Sequence, residues 1–193
     1  MSVNVTAEQV KELRERTGAG MLDCRKALVA TGGDINAAIE KLRMEGQAKA
    51  VKKAGRTAAD GTIAIVDAKD AMAMVELNCE TDFVAKGEDF QNFARAAAAA
   101  ALAARPATLE QLLAAKAGAQ SLEEIRKTMV ARIGENITLR RFEVVKGAGG
   151  PIAQYVHAGS RIGVIVALEK GDMELGRDIA MHVAAQRPQY LKS

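Results

Sequence analysis

The chain has 193 residues, 49% of them hydrophobic and 26% charged, so a packed core is expected in one large domain or two small ones. The formal net charge of +3 is too small to indicate a nucleic-acid binder by bulk charge, and two distant cysteines form no disulfide framework. The longest uncharged apolar run, residues 96–104, is far shorter than the roughly 20 residues that span a bilayer. The N-terminus has no basic region followed by an apolar run, so we expect a cytoplasmic protein with reduced thiols.

The N-terminal part has the pattern of a small helical module. Thr6 and Gln9 have the spacing of a capping box, and the stretches "TGAGM" and "TGGD" place glycines between three short helices. The third helix carries an apolar stripe with i, i+3, i+4, i+7 spacing, formed by Ile35, Ala38, Ile39 and Leu42. We predict a module that covers residues 1–54 together with the start of a linker.

Two apolar residues of the second helix, Met21 and Leu22, allow two interpretations. They either complete the core of the module or form an exposed apolar knob beside Arg25 and Lys26. The second interpretation makes this helix a docking surface.

A basic stretch follows as a predicted helical linker, "QAKAVKKAGRTAADG", residues 47–61. Its cations between Lys49 and Arg56 are positioned to contact RNA phosphates. No aromatic residue accompanies them to stack on bases, so a solvated helix face is the favoured interpretation and RNA binding the alternative.

After the linker the hydrophobic pattern changes to the alternation of strands. Residues 62–66 and 71–79 are separated by four residues and predict a β-hairpin. Further along the chain the patterns predict helices near 108–116 and 121–133, a strand in "NITLRRFEVV", a hairpin of "PIAQYVHA" with "RIGVIVALEK", and a helix from Asp172 to about Gln186. This order predicts an α+β fold, an antiparallel sheet packed with helices.

The sequence carries no recognisable pattern of catalytic residues. The sequence has no phosphate-binding glycine loop, and His157 and His182 have no neighbours at metal-ligand spacing. Nothing places a histidine beside Cys24 or Cys79. We therefore predict no catalytic residue, no cofactor and no metal, and a protein that is not an enzyme.

The stretch "ELNCETDFVAKGEDFQNFA", residues 76–94, places Phe83 in the connection between a strand and a helix, where small or polar residues are usual. On the residues alone, core packing with Phe90 and Phe93 is the favoured interpretation of this ring.

Four stretches carry long motifs in a fixed order: "VKELRERTGAGMLDCRKAL" from residue 10, "ELNCETDFVAK" from 76, "RIGENITLRR" from 132 and "AMHVAA" from 180. Together they resemble the bacterial translation elongation factor Ts family over essentially the whole chain. The resemblance implies a guanine-nucleotide exchange factor for elongation factor Tu, with GDP, GTP and Mg²⁺ belonging to that partner. It also implies a three-helix module similar to ubiquitin-associated domains followed by a two-part core.

The resemblance reverses the interpretation of Phe83. In the family, the Thr-Asp-Phe turn enters the partner's nucleotide domain, which makes Phe83 a wedge and gives Asp82 polar contacts with the displaced segment. Thr81 and Val84 are then expected to hold the turn. No direct contact with nucleic acid or membrane is implied.

Four other positions match partner-binding positions of the family. Ile133 and Gly134 match a second contact with the nucleotide domain, and glycine there allows close backbone approach. Arg25 matches a position usually occupied by lysine, and His157 matches a histidine that faces another part of the partner. Packing of Ile133 and Gly134 at a helix end, and a plain surface role for His157, stay open as alternatives.

The family pattern also predicts how the core is divided. We expect the first half of the core at 55–148 and the start of the second half at 149–193. Most bacterial members continue well beyond residue 189, so we expect this chain to lack the C-terminal part of the family.

Overall fold

The computed structural model describes residues 4–190. Its helices are α1 (Ala7–Thr17), α2 (Met21–Ala30), α3 (Ile35–Lys53), α4 (Asp82–Lys86), α5 (Glu88–Ala104), α6 (Leu109–Ala114), α7 (Leu122–Ile133) and α8 (Met173–Gln186). Its strands are β1 (Asp60–Asp67), β2 (Ala71–Cys79), β3 (Lys116–Ala117), β4 (Gln120–Ser121), β5 (Thr138–Lys146), β6 (Ile152–Val156) and β7 (Gly163–Ala167). The strand pairs are antiparallel, and the predicted α+β class is confirmed. Within the described range, no helix is both long and apolar enough to cross a membrane.

The chain divides into two compact units, the first formed by residues up to 56 and by 124–136, the second by 57–123 and from 137 onward. The domain boundaries expected from the sequence remain a prediction, because a grouping by contacts does not test independent folding.

The first unit contains the three helices predicted from the N-terminal sequence. The capping box is present: Thr6 Oγ1 accepts from the Gln9 amide at 3.2 Å, and Gln9 Oε1 accepts from the Thr6 amide at 3.0 Å. The small core is made of Val10, Leu13, Cys24, Ala27, Leu28 and Ala38. The likeness to ubiquitin-associated domains remains a prediction.

The third helix is longer than predicted. The segment interpreted as a third helix and the first part of the predicted helical linker, residues 47–53, form one helix, α3, which ends at Lys53. The rest of the predicted linker is not helical, and its last two residues, Asp60 and Gly61, begin β1. The physical reason is that Ala, Gln and Lys continue a helix readily, and the stretch contains no proline to stop it.

The second unit is built on a three-stranded sheet in the order β1-β2-β5. The predicted hairpin is confirmed, with Thr62 opposite Leu77 and Ala64 opposite Val75. Thr62 Oγ1 lies 3.5 Å from Oε1 of Gln91 on α5, so this face of the sheet is the one that α5 covers. Helix α5 packs there through buried Phe90, Phe93 and alanines.

The opposite face of the sheet meets the β6–β7 hairpin. A Cβ on Gly163 would lie 2.7 Å from Ile63 Cγ2, so only glycine fits this approach of β7 to β1. Helix α8 packs on the hairpin through Gly176, which lies against Ala153. The short β3–β4 pair was not predicted, because two-residue strands carry no alternation to detect.

Candidate functional site

Among the residues of the second unit that the structure describes, the most exposed large apolar residue is Phe83, which is 84% accessible to solvent. Phe90 and Phe93 are 1% and 3% accessible and belong to the core. The core-packing interpretation of Phe83 is therefore wrong. The reason is the position of the residue, in the first turn of the short helix α4 that follows the end of β2.

The backbone around Phe83 is anchored on both sides. Strand β2 ends at Cys79, and Thr81 then takes an extended conformation as the N-cap of α4, with its Oγ1 accepting from the Val84 amide at 3.4 Å. The Thr81 carbonyl accepts from the Ala85 amide at 3.2 Å, and the Ala85 carbonyl accepts from Gln91 Nε2 at 2.6 Å. Asp82 and Phe83 are therefore the first two residues of a helix, where the sequence predicted a turn.

The Asp82 carboxylate is paired within the same helix. Lys86 Nζ lies 2.7 Å from Asp82 Oδ2, at the i, i+4 spacing that brings side chains together on one helix face. The hydrogen bond from Lys86 and then its charge lower the pKa of Asp82, and the more distant Arg161 acts in the same direction. The carboxylate is therefore ionised at neutral pH.

Val84 completes this segment. It is half-buried, and its carbonyl accepts from the Gly87 amide at 3.0 Å where α4 ends and α5 begins. We call residues Thr81–Val84 the α4 tip. The tip presents an exposed ring and a charged carboxylate side by side on an anchored backbone.

Ile133 and Gly134 lie at the end of α7. Gly134 has φ +87°, a left-handed conformation that favours glycine, and its amide donates to the Val130 carbonyl at 3.0 Å. Its carbonyl accepts a hydrogen bond from Lys53 Nζ, and Ile133 is half-buried. The helix-terminus packing expected as an alternative is present, and a partner role stays a prediction.

Helix α2 exposes the residues predicted as a docking surface. Met21 is 59% and Leu22 74% accessible, so they do not complete the core, and Arg25 and Lys26 are exposed beside them. The core of the module is instead closed by Cys24, Ala27 and Leu28 from the opposite side of the helix.

His157 is exposed directly after β6. Its Nδ1 lies 3.0 Å from the Tyr155 hydroxyl, and its amide donates to the Ile162 carbonyl at 2.9 Å. The residue is held at the start of a tight loop that joins β6 to β7.

The predicted residues are divided between the two units. The α4 tip and His157 belong to the second unit, whereas Arg25, Ile133 and Gly134 belong to the first. The four residues of the tip are consecutive and lie together at the start of α4. Sequence reasoning missed Lys86, although its i, i+4 spacing to Asp82 was a usable signal. It also missed Arg161 and Asp60, which pair across 101 positions and leave no local signal.

The described residues do not favour a cysteine nucleophile or a metal site. Both cysteines are buried, and burial raises the pKa of the Cys24 thiol, which disfavours the thiolate that a nucleophile or metal ligand requires. In the part of the chain that the structure describes, no group of three or more His, Cys, Asp and Glu is placed to hold a metal ion.

The basic stretch proposed as an RNA contact is partly committed to the protein itself. Lys49 Nζ lies 3.1 Å from Asp23 Oδ2, and Lys53 donates to the Gly134 carbonyl. Each cation that is already paired contributes less to phosphate binding, so this geometry weakens the alternative of RNA binding.

Comparison with known proteins identifies relatives of this chain. A family model described as "Elongation factor TS" matches residues 80–193. The chain is 56% identical over 190 residues to elongation factor Ts of Methylococcus capsulatus, 52% over 188 to that of Thioalkalivibrio sulfidiphilus and 53% over 192 to that of Hydrogenovibrio crunogenus. These matches cover 96%, 96% and 98% of this chain and 64%, 64% and 65% of the relatives. The chain thus spans less than two thirds of the length of these relatives.

Proposed function

We propose that this chain, which belongs to the elongation factor Ts family, binds the GTPase elongation factor Tu and promotes the release of GDP so that GTP can be loaded. In this proposal the chain acts in the cytoplasm as a binding protein rather than an enzyme. The nucleotides and Mg²⁺ belong to the partner.

The observation that carries the proposal is the exposed ring of Phe83 on an anchored helix start. An 84% accessible phenyl ring gains about 2–3 kcal/mol when it is buried in a partner. If that burial is available only when the partner's phosphate- and Mg²⁺-binding segments are displaced, the same free energy favours the nucleotide-free form. The α4 tip is then a wedge.

Asp82 has a complementary role in the proposal. Its carboxylate is ionised at neutral pH and stands next to the ring, so it can accept hydrogen bonds from backbone amides of the segment that the ring displaces. Thr81 and Val84 support both side chains by fixing the first turn of α4.

Further contacts with the partner are proposed for both units. The exposed face of α2, with Met21, Leu22 and Arg25, offers apolar area beside a cation and suits a partner helix that carries acidic groups. Ile133, Gly134 and His157 are proposed as additional contacts. In this proposal the exposed face of α2 contributes affinity whether or not the partner holds a nucleotide. The α4 tip makes the chain bind the nucleotide-free partner more tightly than the GDP-bound partner.

The proposal is tested by the rate at which labelled GDP leaves elongation factor Tu with and without this chain. We expect faster release, rising with the concentration of the chain to a plateau. The chain must also bind nucleotide-free partner more tightly than GDP-bound partner, and GDP must weaken it by the same ratio. A ratio of one thousand requires about 4 kcal/mol. Equal affinity for the two forms would rule out the exchange function.

A salt titration of RNA binding, combined with the GDP-release assay, separates the RNA alternative. Binding through phosphate contacts falls steeply with added salt, whereas burial of an apolar ring is much less sensitive. Tight RNA binding that disappears with salt, together with no effect on GDP release, would favour the alternative.

A further inference from the structure

The loop between β6 and β7 is fastened to the first strand of the sheet. The amide of Ile63 on β1 donates to the Ser160 carbonyl at 2.7 Å. Within the loop, the Ser160 amide donates to the His157 carbonyl at 2.9 Å, and Ser160 takes φ +54°. The loop is therefore a closed turn of fixed shape, and it places the next residue, Arg161, over the start of β1.

Arg161 makes a charged contact at that point. Its Nη2 donates to Asp60 Oδ1. The Asp60 side chain is only 22% accessible, whereas that of Arg161 is 62% accessible. A carboxylate that is mostly buried depends on its partner more than an exposed one does, because leaving it unpaired costs its desolvation.

Asp60 lies at the root of the α4 tip. In the sheet it stands opposite Cys79, the last residue of β2 before the segment that leads into α4. Its backbone carbonyl also accepts a hydrogen bond from Asn78 Nδ2 at 3.2 Å, which ties Asp60 to the end of β2. Arg161 is in addition one of the cations whose charge acts on Asp82.

We propose that Arg161 is a positioning residue for the α4 tip: through Asp60 it fixes the junction of β1 and β2 from which Asp82 and Phe83 project. This inference rests on the proposed function for its consequence in nucleotide release. The fixing of the tip itself is a property of the chain alone and can be measured without a partner. Arg161 acts through Asp60 and is not assigned a contact with the nucleotide.

The variants for the test are Arg161→Ala, Arg161→Lys and Asp60→Asn, each in the complete chain. The matched control is Arg141→Ala. Arg141 Nε lies 2.6 Å from Glu76 Oε2 on the same sheet, and the side-chain accessibilities of this pair, 77% and 17%, are close to those of Arg161 and Asp60. The control therefore removes a charged contact to a similarly buried carboxylate that does not involve the root of the tip; Arg140 Nη1, 3.5 Å from Glu76 Oε1, stays as a second partner of that carboxylate.

Two measurements use the chain alone. Hydrogen exchange of the Val84 and Ala85 amides reports the opening of the first turn of α4, and an NMR titration reports the pKa of Asp82. We expect Arg161→Ala to accelerate exchange at both amides by about three- to tenfold, within the usual net range of one hydrogen bond because the Arg161 side chain is largely exposed, and to raise the pKa of Asp82. Asp60→Asn should accelerate exchange as well. In Arg161→Lys the pKa of Asp82 should stay close to that in the unaltered chain, because the positive charge is kept.

The third measurement is the maximal rate of GDP release from elongation factor Tu at saturating chain. It should fall about three- to tenfold in Arg161→Ala and stay unchanged in Arg141→Ala. If Arg161→Ala and Arg141→Ala give the same exchange rates and the same pKa of Asp82, the positioning role is wrong. If the unaltered chain fails to accelerate GDP release, the proposed function is wrong, and the two measurements on the chain alone still decide the role of Arg161.

Discussion

At the scale of single residues, Asp82 and Phe83 are adjacent but are held by different interactions. Phe83 is 84% accessible to solvent, whereas the Asp82 carboxylate is held by Lys86 Nζ at 2.7 Å from its Oδ2. The ring keeps its apolar area available for a partner. The carboxylate keeps its charge, because the ammonium group stabilises the ionised form.

The Asp82–Lys86 pair makes a testable contribution to stability as a function of pH. Lys86 lowers the pKa of Asp82 in the folded chain below its ordinary value of about 4. The contribution is then complete above the unfolded pKa and is lost as the pH falls through the lowered folded pKa. We expect the difference in unfolding free energy between the unaltered chain and Lys86→Gln to be present at pH 6–7 and to close as the pH falls below about 4.

The measurement is urea unfolding at a series of pH values, with Lys11→Gln as the control. Lys11 pairs with Glu15 at the same i, i+4 spacing, with 3.9 Å between Lys11 Nζ and Glu15 Oε1, on a helix of the first unit. An NMR titration should show a raised pKa of Asp82 in Lys86→Gln only. A stability difference that grows as the pH falls would contradict the assignment.

At the scale of elements, the α4 tip depends on the close pairing of β1 and β2. A Cβ on Gly61 would lie 2.3 Å from the Leu77 carbonyl oxygen and 2.8 Å from Asn78 Nδ2. A side chain at position 61 would force β1 away from the end of β2, where Asp60 stands opposite Cys79. Glycine at position 61 therefore permits the close pairing of the two strands next to α4.

Gly61→Ala is expected to destabilise the chain by about 1–3 kcal/mol, the usual cost of overpacking, because the added methyl meets backbone atoms. Gly55→Ala is the control, since a Cβ there has no neighbour within 4 Å. Denaturant unfolding of both variants measures the difference. Equal stability of the two variants would show that β1 and β2 can separate at this point without cost.

Most of the elements could be predicted from the sequence because their signals are local. The β1–β2 hairpin follows from alternation on both sides of a short turn, and α1 and α8 follow from capping residues and apolar spacing. The family resemblance was required to interpret Phe83, since composition favoured the core. The Arg161–Asp60 pair could not be predicted, because it depends on the packing of the β6–β7 loop on β1 and has no pattern in the sequence.

At the scale of the whole molecule, the contacts divide the chain differently from the sequence-based expectation. Residues 124–136 belong to the same unit as the N-terminal helices. Asn136 Nδ2 donates to the carbonyls of Ala54 and Arg56 at 3.4 and 2.7 Å, and Lys53 donates to Gly134. Removal of the N-terminal module therefore takes away contacts of the segment that directly follows α7.

Deletion of residues 1–54 tests this division. We expect weaker complex formation with elongation factor Tu, retention of cooperative unfolding by the second unit, and faster hydrogen exchange confined to 124–136. Calorimetry and hydrogen exchange with mass spectrometry measure these effects. Loss of all cooperative unfolding on deletion would contradict the existence of a separately stable second unit.

The most direct test of the wedge is Phe83→Ala, with melting temperature and GDP release measured on one sample. The ring is 84% accessible, so the melting temperature should stay close to that of the unaltered chain. Phe90→Ala, at 1% accessibility, is the control for a core ring and should cost about 3–5 kcal/mol of stability. GDP release from elongation factor Tu at saturating Phe83→Ala should be slower by about thirtyfold or more, the equivalent of 2–3 kcal/mol. Unchanged release with an unchanged melting temperature would contradict the wedge.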